Sequence, residues 1–309
     1  MIPIPIQLGP LSGLDFPCPN AVATVVMTHG IGLGPWMFEP WVATFTAWNL
    51  RVVALTMPGH RPGDDVGGVT VQASADALAQ ALGALSPAQG PEKIVLLGHS
   101  MSGLVAQVVA ARPDMQKLRG VVLVCPTPPG QIRVVPTLQQ LGHLAPMVPV
   151  ARGRTVRPSL AAYTSLGMNR MSAEEAEKAW MQSVPWPPAL AIDLVRRPHV
   201  EATLLTMPVL VAIGLHDKVF PWQKTRLLGD LYEAVVWRYD DLGHMPTLEP
   251  GGVRMAVDVA KWCLEPTRPQ VIESEGFGPS EGIGHLLRRA RRGELMKKRS
   301  AYGQKKAAR

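Results

Sequence analysis

A serine at the end of a short apolar run carries the clearest chemical signal in the sequence. Residues 94–97 are apolar and strand-like, Ser100 follows, and helix-forming residues begin at once, over 102–111. A serine at such a strand–turn–helix junction is the arrangement of a nucleophile elbow. The N–H groups at the start of the helix point to the reacting centre, so the Met101 N–H is expected to stabilise an oxyanion formed when Ser100 attacks a carbonyl group.

Small residues surround this serine, as a crowded turn requires. Gly98, Ser102 and Gly103 occupy the tightest positions, although glycine is more usual where this chain has Ser102. The simpler interpretation is an ordinary strand-to-helix turn with a helix-capping serine. A serine hydroxyl is a poor nucleophile near neutral pH, so the catalytic interpretation also requires an adjacent base and a group that orients it.

The elements that would position these groups alternate between strands and helices. This alternation predicts an α/β fold with a mostly parallel central sheet and helices on both faces. The expected strands are 23–28, 51–55, 93–97, 120–124, 209–214 and 234–239, and the main expected helices are 73–84, 102–111 and 252–263. An interval of about 80 residues after the fourth of these strands is too long for a simple loop and contains further expected helices over 136–144, 159–166 and 173–183.

On these motifs the chain resembles the α/β-hydrolase superfamily, and in particular its lid-bearing serine esterase-like members. The resemblance covers residues 20–265 and implies a core formed by residues 1–125 and 207–265. Residues 126–206 would form an inserted helical lid, with a longer crossover as the alternative. Residues 266–309 are expected to be a linker and a basic C-terminal tail.

The resemblance also implies the remaining members of a catalytic triad, in the chain order serine, acid, histidine. Asp217 follows the strand over 209–214 in a Gly-x-x-Asp pattern, which is where similar enzymes carry the acid. His244 follows the last strand and a glycine, which matches the position of the base. The other position that this superfamily uses for the acid holds Cys125, which is followed by no carboxylate.

A second oxyanion donor is implied by the loop after the first expected strand, residues 29–32, here called the oxyanion loop. In similar hydrolases the residue after His-Gly supplies this donor, which corresponds to the Ile31 N–H, while His29 is expected to brace the loop. A tentative substrate pocket combines this loop with apolar residues of the expected lid. Its members would be His29, Gly30, Met168, Met171, Trp180 and Trp186.

The activity implied is hydrolysis of a carboxylic ester or lactone through an acyl-enzyme on Ser100, without a metal or organic cofactor. Thioester, amide and C–C bond hydrolysis use the same triad, and the fold does not separate them. A non-catalytic hydrolase-like ligand receptor is the alternative from a different class. The partner expected is a small-molecule acyl substrate.

Charge and cysteine content restrict the other classes. The net charge is +7, but ten of the 31 basic residues lie in 286–309 with one of the 24 acidic residues, so the remainder holds 21 basic and 23 acidic residues. Nucleic-acid binding is therefore not expected, although the tail could contact an acidic partner or a membrane surface. Three scattered cysteines and an N-terminus without a secretory pattern favour a cytoplasmic location.

Overall fold

The computed structural model describes residues 2–85, 93–134, 150 and 152–269, and its centre is an eight-stranded sheet. The strands follow the order β1-β2-β4-β3-β5-β6-β7-β8. From β4 to β8 in this order all neighbouring strands are parallel. The bounds are Ile4–Leu8 (β1), Leu11–Phe16 (β2), Ala23–Thr28 (β3), Leu50–Leu55 (β4), Ile94–His99 (β5), Gly120–Val124 (β6), Val209–Gly214 (β7) and Val235–Tyr239 (β8). The expected mostly parallel sheet is confirmed.

The two N-terminal strands are an addition to the strands expected from the sequence. β1 and β2 form an antiparallel hairpin, and β2 joins the sheet by pairing antiparallel with β4. Pro5 lies within β1, where it pairs with Leu14. A proline is tolerated there because β1 is an edge strand, whose outer backbone groups donate to no neighbour. Neither strand was among those expected from the sequence.

Helices cover both faces of the sheet, as expected. The longer ones are Glu39–Ala47 (α1), Val71–Ala84 (α2), Met101–Ala110 (α3), Ala173–Gln182 (α4), Pro188–Arg196 (α5), Leu227–Tyr232 (α6) and Gly252–Leu264 (α7). One apolar cluster packs α2, α3 and α6 against the sheet, and a second packs α1 and α7 against its other face. The strands from β3 to β7 are buried throughout because both faces are covered.

The long interval after β6 contains irregular and helical structure in its described part. A helical turn over Leu160–Ala162 continues as a π-helix over Tyr163–Gly167, and α4 and α5 follow. We call residues 156–186 the cap segment. The helix expected over 136–144 lies outside the described residues, as does most of the linker and tail, residues 270–309. The domain division and the lid therefore remain predictions.

Short helical turns complete the described structure. They span Pro35–Phe38, Pro113–Met115, Ala202–Leu204 and Trp222–Thr225. Within the described ranges, none of the helices is both long and apolar enough to cross a bilayer.

Candidate active site

Ser100 lies in a strained turn between β5 and α3. Its backbone has φ 52° and ψ −115°, a combination that residues other than glycine seldom adopt. The Gly103 N–H donates to the Ser100 carbonyl (2.9 Å) and closes the turn, while the Ser100 N–H donates to the Val124 carbonyl at the end of β6 (3.1 Å). A Cβ atom at Gly98 would collide with the backbone of Ser102, which explains the need for glycine at this position.

Ser102 has a role that its small size alone did not indicate. Its hydroxyl donates a hydrogen bond of 2.5 Å to the backbone carbonyl of His29, and both residues are completely buried. A glycine at position 102, the more usual residue, would leave this carbonyl without that donor. The substitution therefore joins the turn that carries Ser100 to the oxyanion loop.

Ser100, His244 and Asp217 form one continuous chain of hydrogen bonds. The Oγ of Ser100 is 2.9 Å from Nε2 of His244, and Nδ1 of His244 is 2.8 Å from Oδ2 of Asp217. A carboxylate only accepts, so Nδ1 carries the proton and Nε2 is left free to accept from the serine hydroxyl. All three residues are buried, which strengthens these interactions by excluding water.

The second oxygen of the Asp217 carboxylate is also occupied. Oδ1 accepts the backbone N–H groups of Val219 (2.8 Å) and Phe220 (2.9 Å), which lie in the turn after β7. The carboxylate is thus fixed in rotation before it meets His244. A capping aspartate, the simpler alternative for this residue, would make the same two bonds, but it would not need the third bond to the imidazole.

Residues 243–245, here called the base loop, are held through their backbone by buried side chains of other elements. Nε2 of His99, at the end of β5, donates to the carbonyl of His244 (2.8 Å). The thiol of Cys125, directly after β6, donates to the carbonyl of Gly243 (3.3 Å). Burial raises the pKa of Cys125, with the nearby Asp217 as a second cause, so the thiol keeps its proton.

Glu249 completes this support from the other side, and sequence reasoning did not identify it. One carboxylate oxygen accepts the Gly243 N–H (2.5 Å) and the other accepts the Met245 N–H (3.0 Å). Glu249 is almost completely buried, and burial raises its pKa. In the sequence, Glu249 is visible only as a glutamate a few residues after His244. That position does not predict that its carboxylate binds backbone N–H groups.

The two expected oxyanion donors lie on either side of Ser100. Met101 is the first residue of α3, so its N–H has no acceptor within the helix. Gly30 packs so closely on the serine that a Cβ atom there would be 3.2 Å from Cβ of Ser100. Ile31 follows directly and lines the cavity next to Ser100. This placement is compatible with an oxyanion role for the two N–H groups.

His29 supports the oxyanion loop from below and does not reach the cavity. Its Nε2 accepts the Met57 N–H (3.0 Å), so the proton is on Nδ1, which donates to the Gly30 carbonyl (2.9 Å). Complete burial, followed by the proximity of His60, lowers the pKa of His29 well below its ordinary value. The histidine is therefore neutral and serves as a brace rather than as a pocket wall.

A mostly apolar cavity of about 180 Å³ opens beside Ser100. Three of the tentative pocket residues, Gly30, Met168 and Trp186, line it. The sequence did not single out Tyr163 and Leu166, which line it from the π-helix. The further lining residues are Ile31, Leu33, His99, Val156, Pro158, Ala162, Gly167, Val219, His244 and Met245.

Two other tentative pocket residues lie elsewhere in the structure. The indole N–H of Trp180 donates to the Pro158 carbonyl (2.9 Å), and the Arg157 guanidinium stacks 4.1 Å from the Trp180 ring centre. This ring is therefore occupied in holding the cap segment together. Met171 packs against the second apolar cluster and does not line the cavity. Helical spacing of large apolar residues did not distinguish cavity walls from such packing positions.

The cap segment rests directly on the oxyanion loop at Gly32. The Val184 N–H donates to the Gly32 carbonyl (2.9 Å). Gly32 has φ 73°, and a Cβ atom there would lie 2.5 Å from the indole nitrogen of Trp186 and 2.9 Å from the Tyr163 hydroxyl. Glycine is thus required both by the backbone angle and by this close approach.

Among the residues that the structure describes, no group of three or more His, Cys, Asp or Glu side chains is placed to hold a metal ion. The three cysteines are unpaired with each other.

Comparison with known proteins places this geometry in context. The model of the alpha/beta hydrolase family matches residues 25–256. The chain is similar to a thermophilic esterase from Thermogutta terrifontis, with 24% identity and a TM-score of 0.62 over 85% of this chain and 98% of that chain. It is also similar to an esterase from Exiguobacterium antarcticum, with 15% identity and a TM-score of 0.65 over 82% and 95% of the two chains.

A bromoperoxidase from Bacillus anthracis is similar to the same degree, with 14% identity and a TM-score of 0.64 over 85% of this chain and 99% of that chain. At these identities the similarity to solved structures establishes the fold alone. Comparison with curated protein sequences finds no significant match. The family match spans well over half of the chain and includes the strands β5, β7 and β8, after which Ser100, Asp217 and His244 lie. This protein therefore belongs to the alpha/beta hydrolase family.

Proposed function

We propose that this protein is a serine hydrolase that cleaves a carboxylic ester or lactone through a Ser100 acyl-enzyme. The observation that carries the proposal is the hydrogen-bonded chain from Ser100 through His244 to Asp217, at the edge of an apolar cavity. Each of the three side chains is buried, and the hydrogen-bond pattern leaves Nε2 of His244 free to accept the Ser100 proton. The esterases among its structural neighbours agree with this chemistry at the level of the fold.

In the first half of the reaction Ser100 Oγ attacks the substrate carbonyl carbon while Nε2 of His244 takes the hydroxyl proton. The Ile31 and Met101 N–H groups hold the resulting oxyanion. The bond from the carbonyl carbon to the leaving oxygen then breaks, and the leaving alkoxide receives the proton from His244. The Asp217 carboxylate stabilises the imidazolium during this transfer.

In the second half a water molecule attacks the carbonyl carbon of the acyl-enzyme, and its proton passes to His244. The bond to Ser100 Oγ breaks, the serine recovers a proton from His244, and the carboxylic acid leaves. The cavity of about 180 Å³ would hold the acyl group. Since a cavity of roughly 150 Å³ accommodates benzene, a short or medium acyl chain, or a single ring, suits this space.

The test is turnover of p-nitrophenyl esters of increasing acyl chain length by wild type, Ser100→Ala and Ser172→Ala. Ser172 caps α4 and is exposed, which makes it a matched control for loss of a serine. We expect hydrolysis by wild type and Ser172→Ala and a loss of at least about 10⁴-fold in Ser100→Ala. A fluorophosphonate probe should label the same two proteins and not Ser100→Ala.

The alternatives have distinct outcomes in this experiment. Labelling without ester turnover would favour a thioester, an amide or a C–C bond as the substrate of the same triad. A folded wild-type protein that is neither labelled nor active would contradict the proposal and favour a ligand receptor. A cytoplasmic location, and an acidic partner or membrane surface for the basic tail, remain predictions.

A further inference from the structure

Glu249 is a buried carboxylate next to the site that the proposed reaction does not use. It lies three residues before the first residue of α7, and its side chain points back into the base loop. None of the ion pairs among the described residues includes it. Burying a charge without a cation is costly, so the bonds that the carboxylate does make have to offset that cost.

Those bonds go to the two peptide N–H groups on either side of His244. Oε2 accepts from Gly243 and Oε1 accepts from Met245, so the carboxylate bridges the residue that carries the imidazole. Only a side chain with two acceptor atoms and no donor satisfies both groups. Glutamine offers one acceptor and one NH₂ group, and the NH₂ group would face a backbone donor.

We infer that Glu249 is a positioning residue for the proposed hydrolysis, and that it holds the His244 imidazole between Ser100 and Asp217 while placing a second negative charge near it. This inference rests on the proposed function. The carbonyls of the same loop are held from the opposite side by His99 and Cys125. With Glu249, side chains therefore hold four backbone groups around the histidine, which are the N–H and carbonyl of Gly243, the carbonyl of His244 and the N–H of Met245.

The charge on Glu249 acts on a small set of neighbouring groups. His244 and Asp217 influence its titration, and Glu249 in turn influences the Cys125 thiol. His99 reaches the loop as a neutral ring, and the aliphatic part of Arg170 packs against Gly243 while its Nε donates to the Asp241 carbonyl. Among these groups only His244 gains a positive charge during the proposed reaction, so a negative charge at Glu249 favours its protonated form.

The test compares Glu249→Gln and Glu249→Asp with Glu265→Gln, which removes an exposed glutamate just after α7. We expect Glu249→Gln to lower kcat by about 10- to 100-fold, because it breaks hydrogen bonds to a charged group, with KM within about two-fold. Loss of the charge should also shift the acid limb of the kcat–pH profile to lower pH. Glu249→Asp keeps the charge, so its acid limb should stay in place while kcat falls through the shorter reach.

A readout that needs no turnover keeps this inference separate from the proposed function. The Nδ1 proton of His244, hydrogen-bonded to Asp217, should give a low-field proton resonance that shifts or broadens in Glu249→Gln and not in Glu265→Gln. If wild type lacks activity, this resonance alone decides the positioning role. If Glu249→Gln does not fold, Glu249→Asp decides it by the same measurements. A folded Glu249→Gln with wild-type kcat, pH profile and His244 resonance would overturn the inference.

Discussion

The two sides of the cavity are built in different ways. On the sheet side, Ser100, Asp217 and His244 follow the ends of β5, β7 and β8, and buried hydrogen bonds fix each of them. On the cap side, Tyr163 and Trp186 are only partly buried and come from a π-helix and an irregular segment. For the proposed hydrolysis, the difference predicts that side chains on the sheet side set the reaction geometry and that side chains on the cap side set acyl selectivity, so single substitutions should separate the two effects.

The largest effect is expected on the sheet side. Asp217→Asn should lower kcat by roughly 10⁴-fold, because an amide in place of the carboxylate favours the wrong tautomer of His244 and no longer stabilises the imidazolium. The Asp114→Asn control removes an exposed aspartate that pairs with Arg112 and should leave kcat unchanged. Steady-state kinetics with a short p-nitrophenyl ester measures both. A loss of less than ten-fold in Asp217→Asn would contradict the assigned role.

A smaller effect of a different kind is expected on the cap side. Trp186→Ala enlarges the cavity, so the preferred acyl chain should lengthen by roughly two to four carbons, since each buried CH₂ contributes about 0.8 kcal/mol. Trp48→Ala is the matched control, because this indole is exposed and lies outside both the cavity and the cap segment. The measurement is kcat/KM against chain length.

The comparison between the two sides would break down if Trp186→Ala left the chain-length profile unchanged. It would also break down if the variant lost kcat for every substrate to the same extent, since the cap would then be part of the reaction geometry.

The sheet side also predicts a pH dependence of stability. Burial lowers the pKa of His99 to about 3, while a solvated histidine titrates near 6.5. Between these values the unfolded chain binds a proton that the folded protein does not, so stability is lost as pH falls below about 6.5. His99→Gln keeps a donor for the His244 carbonyl and removes this site, so its stability should fall less steeply, by up to about 1.4 kcal/mol per pH unit.

Urea denaturation midpoints from pH 7 to pH 4 measure this slope. The exposed His199→Gln is the control and should keep the wild-type slope. Equal slopes for all three proteins would contradict the lowered pKa of His99, because the contributions of the other buried histidines, His29 and His60, add to its own and would not hide its loss.

The smallest effect concerns the join between the elbow and the oxyanion loop. Ser102→Ala removes the donor to the buried His29 carbonyl and should lower the free energy of unfolding by about 1–2 kcal/mol. Turnover should fall less than in Asp217→Asn, because the triad itself is intact. Chemical denaturation together with kinetics tests both statements, and unchanged stability would show that the bond contributes nothing net.

The sequence predicted the parts of the fold whose signals are local. Continuous apolar runs marked the strands from β3 to β7 because these strands are buried on both faces. The parallel arrangement of β3 to β8 brings the residues at their carboxyl ends to one edge of the sheet. β1, with its proline, and α1, with its aromatic residues, were not expected. Their placement depends on an edge position and on packing against α7, which no local pattern encodes.

The site shows the same limit at the level of single residues. Ser100, Asp217 and His244 were singled out because each follows a recognisable strand, and the structure brings them within hydrogen-bond distance. Glu249 and the hydroxyl of Ser102 instead bind backbone groups of other loops. Every residue has such backbone groups, so no sequence motif identifies these partners. Which aromatic residues face the cavity depends on the path of the cap segment, and residue spacing alone does not determine that path.

The backbone hydrogen bond from the Val184 N–H to the Gly32 carbonyl limits how the cap segment can be exchanged in protein engineering. A designer who exchanges the cap segment for another sequence, to accept a bulkier acid or alcohol, alters the surface on which the oxyanion loop rests. A graft that supplies a peptide N–H at this point, and leaves residue 32 as glycine, keeps the loop in register with the serine. Grafts chosen only for cavity size would change selectivity and lose rate together.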